Sequence, residues 1–600
     1  MTRAEDRAEA HLRQLLHSVQ RGEFSRRGFV QRLTALGVAA PLAQLLLADA
    51  GFAQASAPWA YAPTRRGGGG ALKLLMWQGP TLLNPHFATG TKDAIGSRPF
   101  YEPLVAWDGD GAMVPVLAAE IPSRANGGLS ADGRTVTWKL KAGVQWHDGR
   151  PFTADDVVFN WRYATDPATA AITSGYYEGV ERIERVDATT VRVVWARPQP
   201  FWPGPFASYQ IIPRHLFEPF IGAKSRDAPN NVRPVGTGPY RFVEFRPGDM
   251  LRAELNPSYH LPNRPHFDTL EIKGGGDAVS AARAVLQTGE FDHAWNLQVE
   301  EEVLARMERG GRGRAVISKG GTIEHVLLNA SDPWTEFKGE RGHPESRHPV
   351  FSDPAVREAI ALLFDRESIQ RFIYGRAGEV TANYLNNPPA FRSPNRTPAF
   401  DVQRAAALLD AAGWKPGRGG IREKNGRRLR LSFRTSINAP RQKVQQIVKQ
   451  AAQRAGVDLD LQAVQASVFF SSDESNPDTL NKFWTDMQMF AQSMIQPDPQ
   501  DAMQIFRSEE AASRANRWIG RNSARWQDAE FDRLHDAARV EMDPVKRAAL
   551  FIAMNDRLCG SHHVIPLIAR HEVDGVANTL RARLSAWSPD IAFVHDWFRA

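Results

Sequence analysis

The stretch Ala131-Asp132-Gly133-Arg134-Thr135-Val136-Thr137-Trp138-Lys139-Leu140-Lys141-Ala142-Gly143-Val144-Gln145-Trp146-His147-Asp148-Gly149-Arg150-Pro151-Phe152-Thr153-Ala154-Asp155-Asp156-Val157 is the most informative part of the chain. Asp132-Gly133 has the composition of a tight turn, and it leads into a strand whose Val136, Trp138 and Leu140 share one face by period two. Lys141-Ala142-Gly143 reverses the chain, and Val144 and Trp146 continue an apolar face up to His147-Asp148-Gly149. Thr153 then caps a helix with Asp156 three positions on, a variant of the capping box, and Asp155 and Asp156 suit the positive end of the helix dipole. The unit reads as hairpin, turn and capped helix. His147-Asp148 lacks the converging ligands and hydrogen-bonded outer shell of a metal-dependent hydrolase. Neighbouring helix positions do not face one another, so Asp155 and Asp156 read as cap residues rather than as an acid–base pair.

Working outward, Val180 to Val186 and Thr190 to Trp195 are two further strand signals around Asp187-Ala188. Pro234-Val235-Gly236-Thr237-Gly238-Pro239-Tyr240 places two glycines around a threonine, yet no Gly-Lys-Ser/Thr follows and the segment runs into a strand, Tyr240 to Phe245. It is therefore not a phosphate-cradling loop. Asp353 caps a helix with Pro354 in its first turn and Val356, Ala359, Ile360, Leu363 and Phe364 on its buried face. Asp365 caps the next, with Ile369, Phe372 and Ile373 inward and Gly375 ending it. Asp401 begins another that carries Val402, Ala405, Leu408, Leu409 and Ala412. Strands and helices alternate on both sides of this region, which argues for α/β architecture. Arg422 to Arg430 reads as a solvated hairpin turning at Asn425-Gly426.

Composition removes several classes. Six hundred residues suggest several domains or subdomains, and the single cysteine, Cys559, permits no intramolecular disulfide and no cysteine-based zinc site. The net charge of +7 is small for this length and its basic residues are interspersed with acidic ones, so no nucleic-acid footprint is evident. At the start, Ser25-Arg26-Arg27-Gly28-Phe29-Val30-Gln31 precedes a weakly apolar run from Leu33 to Ala48 and then Ala53-Gln54-Ala55-Ser56-Ala57. This looks like a twin-arginine export signal over 1–55, with Gln31 where Lys is favoured and cleavage after Ala55 or Ala57. The run is too short and interrupted to anchor in a membrane. Residues 56–70, ending Arg65-Arg66-Gly67-Gly68-Gly69-Gly70, read as a flexible spacer.

Several stretches taken together resemble the family 5 extracellular solute-binding proteins, the peptide, nickel and opine receptors of ABC importers. They are Tyr101-Glu102-Pro103-Leu104, the 131–157 unit, Gly236-Thr237-Gly238-Pro239-Tyr240 followed by Asn256-Pro257-Ser258-Tyr259, then Asp353 to Asp365, the Ala406 to Trp414 helix ending, Phe531-Asp532 and Ile565-Pro566-Leu567. The resemblance implies a type II periplasmic binding fold, α/β, with two lobes joined by a hinge plus an extra β-rich subdomain. Lobe I would comprise 71–110, 205–323 and 575–600, the subdomain 111–204 and lobe II 324–574, with crossings near Thr322 to Asn329 and Leu567 to Val576. It also implies a periplasmic receptor, monomeric and without cofactor, metal or catalysis, that captures a peptide or peptide-like solute and delivers it to inner-membrane permease subunits.

Positions transferred from the family to the cleft are Trp77, Gln78 and Gly79 at the first strand end, Trp295 and Asn296 after Gly289-Glu290-Phe291-Asp292, Asn329 on a crossing strand, and Gln492, Ser493 and Asp498 in lobe II. Where peptide receptors carry an Asp that pairs with the ligand's α-amino group, this chain has Ile495. Either Asp498 substitutes, or the ligand is a modified peptide, an opine or a sugar conjugate. The competing reading is an exported hydrolase or metal-dependent enzyme folded before transport. No Gly-x-Ser-x-Gly elbow or cofactor motif supports it, and His562-His563 and His571 read as solvated or backbone-bonded rather than as nickel ligands.

Overall fold

The computed structural model describes residues 59–88, 91–207, 209–471, 475–588 and 591–600. The expected export signal at 1–55 lies outside them. Eleven strands build the main sheet: β1 Ala71–Met76, β2 Tyr240–Arg246, β3 Met250–Leu255, β4 Thr269–Gly274, β5 His293–Ala294, β6 Gly313–Leu328, β7 Gly378–Val380, β8 Arg430–Ser436, β9 Asp458–Val464, β10 Met487–Gln492 and β11 Val564–Ala577. Their order is β9-β8-β10-β6-β11-β5-β1-β4-β3-β2, with β7 also paired to β11. At each end the sheet holds parallel pairs, β1 with β4 and β5 and β8 with β9 and β10. In the middle, the long strands β6 and β11 pair antiparallel and join the two halves.

That central pair is continuous in sequence but not in register. Ser318 faces Glu572 and Thr322 faces Arg570, so Lys319, Gly320 and Gly321 on β6 oppose His571 alone. Extra residues on one strand bend it and raise its twist. On one side of the bend, Val326 and Leu328 of β6 and Ile565, Leu567 and Ile568 of β11 join a core built by the helices Pro354–Ala361, Val402–Ala411 and Ala439–Arg454. On the other, Val573 packs with Leu75, Ala281, Val285 and Leu304.

The 131–157 unit folds as its pattern requires. Thr135–Lys139 pairs with Thr190–Trp195, which pairs with Val180–Arg185, giving a separate three-stranded sheet. Trp138 is fully buried and contacts Trp202 and Phe206 at ring-centroid distances of 5.4 and 5.5 Å. The helix Ala154–Thr165 begins where the Thr153 N–H donates to Asp156 Oδ2 (2.9 Å). His147 is a structural clamp: Nδ1 accepts from the Gly236 N–H (3.1 Å) and Nε2 donates to the Gly238 carbonyl (3.0 Å). A Cβ on Gly236 would lie 1.7 Å from the Phe100 carbonyl oxygen, so the glycine is needed for this approach. Thr237, between the glycines, donates to Glu102 (2.9 Å), as does Tyr259 (2.8 Å). His260 Nε2 lies 3.0 Å from the same carboxylate. Burial alone would push the Glu102 carboxyl up, but His260 and then Arg98 outweigh it and hold it at about 2. The scattered motif residues thus converge on one buried carboxylate.

Three expectations fail in instructive ways. The end of the presumed flexible spacer is tied down: Asp268 accepts from the Gly68 and Gly70 N–H groups (2.7 and 2.9 Å), and Arg66 donates to the Leu261 carbonyl (2.9 Å). Phe372 is 64% exposed rather than inward, because Gln370–Tyr374 is a π-helical turn and the wider turn breaks the i, i+3 spacing. The Arg422 to Arg430 hairpin forms, with Asn425 and Gly426 both at positive φ, but Arg422 is buried and pairs with Asp410 (2.6 Å).

Burial holds His86, His147, His325, His535 and His595 each down at about 4. An unfolded chain protonates them near the ordinary imidazole value of about 6.5. The unfolded state therefore binds more protons between these values, and stability falls as pH drops from about 6.5 through about 4. Melting temperatures recorded from pH 7.5 to 4.5 are expected to decline across that window; a flat profile contradicts it.

Candidate functional site: the cleft beside the crossing strands

Strands β1 and β5 run parallel, with Leu75 opposite Ala294, so their C-terminal ends deliver Trp77 and Trp295 to the same rim. In open α/β sheets this is the edge at which ligands are held. The two indoles stack, with centroids 6.3 Å apart and planes at 23°, and Trp77 Nε1 donates to the Asn296 carbonyl (3.1 Å). Asn296 takes a left-handed conformation (φ 54°), which asparagine tolerates better than most residues. Its side-chain oxygen accepts from Gln298 (3.3 Å), whose own oxygen accepts from Asn438 (3.0 Å) at the start of the helix Ala439–Arg454. A relay of amides therefore crosses from the β1/β5 half to the β8/β10 half.

Beneath the relay is a buried charge cluster. Glu324 of β6 is 1% exposed and accepts from Arg441 Nε (2.6 Å) and Nη2 (3.4 Å), while Arg570 of β11 comes no closer to it than 3.9 Å. Burial pushes the Glu324 carboxyl up, but Arg441 and then Arg570 more than reverse this and hold it below its ordinary range. Glu324, Arg570 and His571, together with Gln298, Tyr374 and Asn438, line a cavity of about 40 Å³. A smaller recess of about 10 Å³ lies against Gly321 and Ile323 of β6 and is closed by Tyr384, Asn387 and Gln492. Thr322, between Gly321 and Ile323, donates to Glu572 (2.9 Å) and lies 3.2 Å from the Ser493 hydroxyl.

Residues 112–514 match the family model of bacterial extracellular solute-binding proteins, family 5 Middle. This chain is a family 5 extracellular solute-binding protein. It is 27% identical over 407 residues to the oligopeptide-binding protein AppA of Bacillus subtilis, covering 66% of this chain and 69% of that one. Protein XP55 of Streptomyces lividans is 30% identical over 364 residues, covering 59% of each chain. Among solved structures, NikZ of Campylobacter jejuni in complex with Ni(L-His) superposes with a TM-score of 0.74 at 21% identity, covering 88% of this chain and 99% of that one. Bacillus subtilis AppA in complex with a nonapeptide gives 0.71 at 22%, covering 90% and 100%. The fold is therefore the two-lobed α/β binding fold of these proteins.

The structure separates the transferred positions of this family 5 protein. Trp77, Trp295 and Asn296 come together as one wall, Gln492 borders the second recess, and the Ser493 hydroxyl lies 3.2 Å from Thr322. Gln78 is exposed at the strand end. Gly79 is buried, and a Cβ there would lie 2.5 Å from the Gly248 carbonyl oxygen, so its role is close packing. Asn329 does not join the cleft: it is fully buried beyond the end of β6, and its amide donates to the Phe483 and Thr485 carbonyls (2.7 and 3.2 Å). Asp498 is not free to take a ligand ammonium, because it forms a two-point ion pair with Arg547 and accepts from the Gln500 N–H (2.9 Å). Ile495 is 42% exposed.

The residues missed from sequence are Gln298, Glu324, Asn438, Arg441 and Arg570. The one available signal was a carboxylate in the apolar run Ile323-Glu324-His325-Val326-Leu327. His571 departs from the solvated or backbone-bonded reading: it is buried and its Nδ1 has no hydrogen-bond partner. Among the described residues no group of three or more His, Cys, Asp or Glu side chains is placed to hold a metal, and no helix is long and apolar enough to cross a membrane. The Cys559 thiol is buried and pushed up to about 12, which makes it a poor nucleophile.

Replacing Asp498 by Asn leaves Arg547 a buried cation without a counter-charge. The expected result is a stability loss of about 3 kcal/mol in urea denaturation, with ligand affinity unchanged. Retained stability with lost affinity would return Asp498 to the ligand site.

Proposed function

We propose that this chain is the periplasmic receptor of an ABC importer, taking up a peptide or peptide-like solute between two closing lobes and presenting it to membrane permease subunits, without catalysis and as a monomer. The observation that carries this reading is the pair β6 and β11: among the described residues these two strands run from one half to the other, their register breaks at the crossing, and the facing walls meet beside that break. Closure about such a crossing is a hinge motion, and a ligand favours the closed form because only that form touches it from both sides. The lobe boundaries suggested by this reading are those expected from sequence, with 71–110, 205–323 and 575–600 in lobe I, 111–204 as its subdomain and 324–574 in lobe II. Ligand contacts are assigned to Trp77, Gln78, Trp295, Asn296, Gln492 and Ser493. Export by a twin-arginine signal over 1–55 places the receptor in the periplasm.

Support for a peptide-like ligand comes from relatives named as oligopeptide-binding and di/tripeptide-binding proteins. The amide relay Asn296–Gln298–Asn438 suits it chemically, since each amide can both donate to and accept from a peptide backbone. A thermal-shift screen of the mature protein against peptides, opines, glycosides and Ni²⁺ tests the reading. A cognate ligand at 100 times its Kd adds about 2.7 kcal/mol of stability, and small-angle scattering reports a more compact envelope on binding. Accumulation of product over many turnovers would instead establish an enzyme.

A further inference from the structure

The charges around the cavity at the crossing strands do not balance. Glu324 is neutralised by Arg441, which holds it at two points, and Arg441 is anchored further by Ser436 (3.0 Å). Arg570 is then a second cation for the same carboxylate. Its guanidinium is 12% exposed, lines the cavity, makes a long 3.9 Å ion pair with Glu324 and has no side-chain hydrogen bond among the described residues. An arginine normally engages its fork of donors in two or more bonds when this far from water. Its neighbour His571, 7% exposed and lining the same cavity, keeps Nδ1 without a partner while Nε2 faces Glu379 at 3.4 Å. With its proton on the Nε2 side, His571 presents Nδ1 as an acceptor.

Nothing lining the two cavities offers the opposite charge. Glu324 is the one carboxylate among those residues and is already paired, and Asp498 is held by Arg547. Beside Arg570 a free ammonium would meet a like charge and a Glu324 already paired, whereas a carboxylate would satisfy Arg570. The cavity's 40 Å³ exceeds the roughly 10–15 Å³ needed for a water and suits a carboxylate head group, with the amides of Asn296, Gln298 and Asn438 on its lining.

We infer that Arg570, with His571 beside it, forms a carboxylate subsite at the crossing strands, so that the solute is an acyl-amino-acid or peptide-like acid recognised by its carboxylate and adjacent amide N–H, with its amino end blocked or absent. The inference rests on the receptor reading and narrows it to an anionic solute. It also ties binding to closure, because Arg570 stands on β11 next to the register break while Gln298 comes from one half and Asn438 from the other.

The test uses matched sets of Ala-Ala, Ala-Phe, Leu-Ala and Gly-Gly-Ala in four forms: free, N-acetylated, C-terminally amidated, and both. Binding to the mature wild-type protein is read by thermal shift and calorimetry. N-acetylated acids are expected to bind, the corresponding amides to bind at least tenfold more weakly, and Arg570→Gln to abolish that difference while Arg570→Lys retains part of it. Amides binding as tightly as acids in the wild type would overturn the subsite and leave the peptide receptor standing, and that comparison needs no variant to fold. Free peptides binding more tightly than their acetylated forms would overturn the blocked amino end. No response to any member of the set would overturn both the subsite and the peptide-like reading.

Discussion

The antiparallel pairing of β6 with β11 is the constraint on which the molecule depends. Each strand feeds hydrophobic side chains into cores on both sides of the crossing, Val326 and Leu328 at one end of β6 and Val573 beyond the bend on β11. A sheet interrupted there would leave two bodies joined by side-chain packing alone, without a shared backbone ladder. Three residues opposing one, between Ser318/Glu572 and Thr322/Arg570, confine the irregularity to a single point while the ladders on either side stay paired. Bulges of this kind re-aim side chains and are often found beside functional sites. Here the extra residues are Lys319, Gly320 and Gly321 on β6, and Arg570 and His571 face them across the break.

The same crossing explains why a charge cluster is tolerated in the interior. Transferring Glu324 and Arg441 from water is costly, and their mutual attraction offsets that only with close two-point geometry, which the 2.6 and 3.4 Å contacts supply. Their yield in stability is small, but they fix the helix Ala439–Arg454 against β6 in one position, so the Asn438 cap that meets Gln298 is placed by the pair below it. Glu102 does comparable work for the other half, gathering Thr237, Tyr259 and His260 from segments far apart in sequence.

What could be read from sequence was local. Asp353, Asp365 and Asp401 each accept from a backbone N–H at a helix start, because a cap is decided within three residues. The Asn425-Gly426 turn was legible for the same reason. The cleft was only half legible. Trp77, Trp295 and Asn296 stand where two strands end, a feature that hydropathy marks, whereas Glu324 meets Arg441 across 117 residues and Asp498 meets Arg547 across 49. No periodicity links such partners. That is why Asp498 could be assigned to a ligand ammonium from sequence while its carboxylate is occupied, and why Arg570, only distantly paired with Glu324 and set inside Ile568-Ala569-Arg570-His571, passed unnoticed.

Outside the cleft, the two halves meet through ion pairs that bear on how firmly they are held. Glu178 pairs with Arg539 (2.7 Å) at side-chain exposures of 58% and 37%, and Glu300 pairs with Lys443 (2.6 Å) at 24% and 56%. Arg376 reaches Glu301 (3.0 Å) and Glu308. Pairs this exposed contribute about 0–1 kcal/mol each and weaken further with salt. Together they supply far less than the roughly 8 kcal/mol available from a ligand bound at about 1 μM. The protein's own surface charges therefore favour closure only weakly, and a cleft group with a distant partner can add to it. Arg570, 3.9 Å from a Glu324 already held at two points by Arg441, is such a group: an anion beside it gains from the closed form what the rim pairs do not provide, and its departure removes that gain.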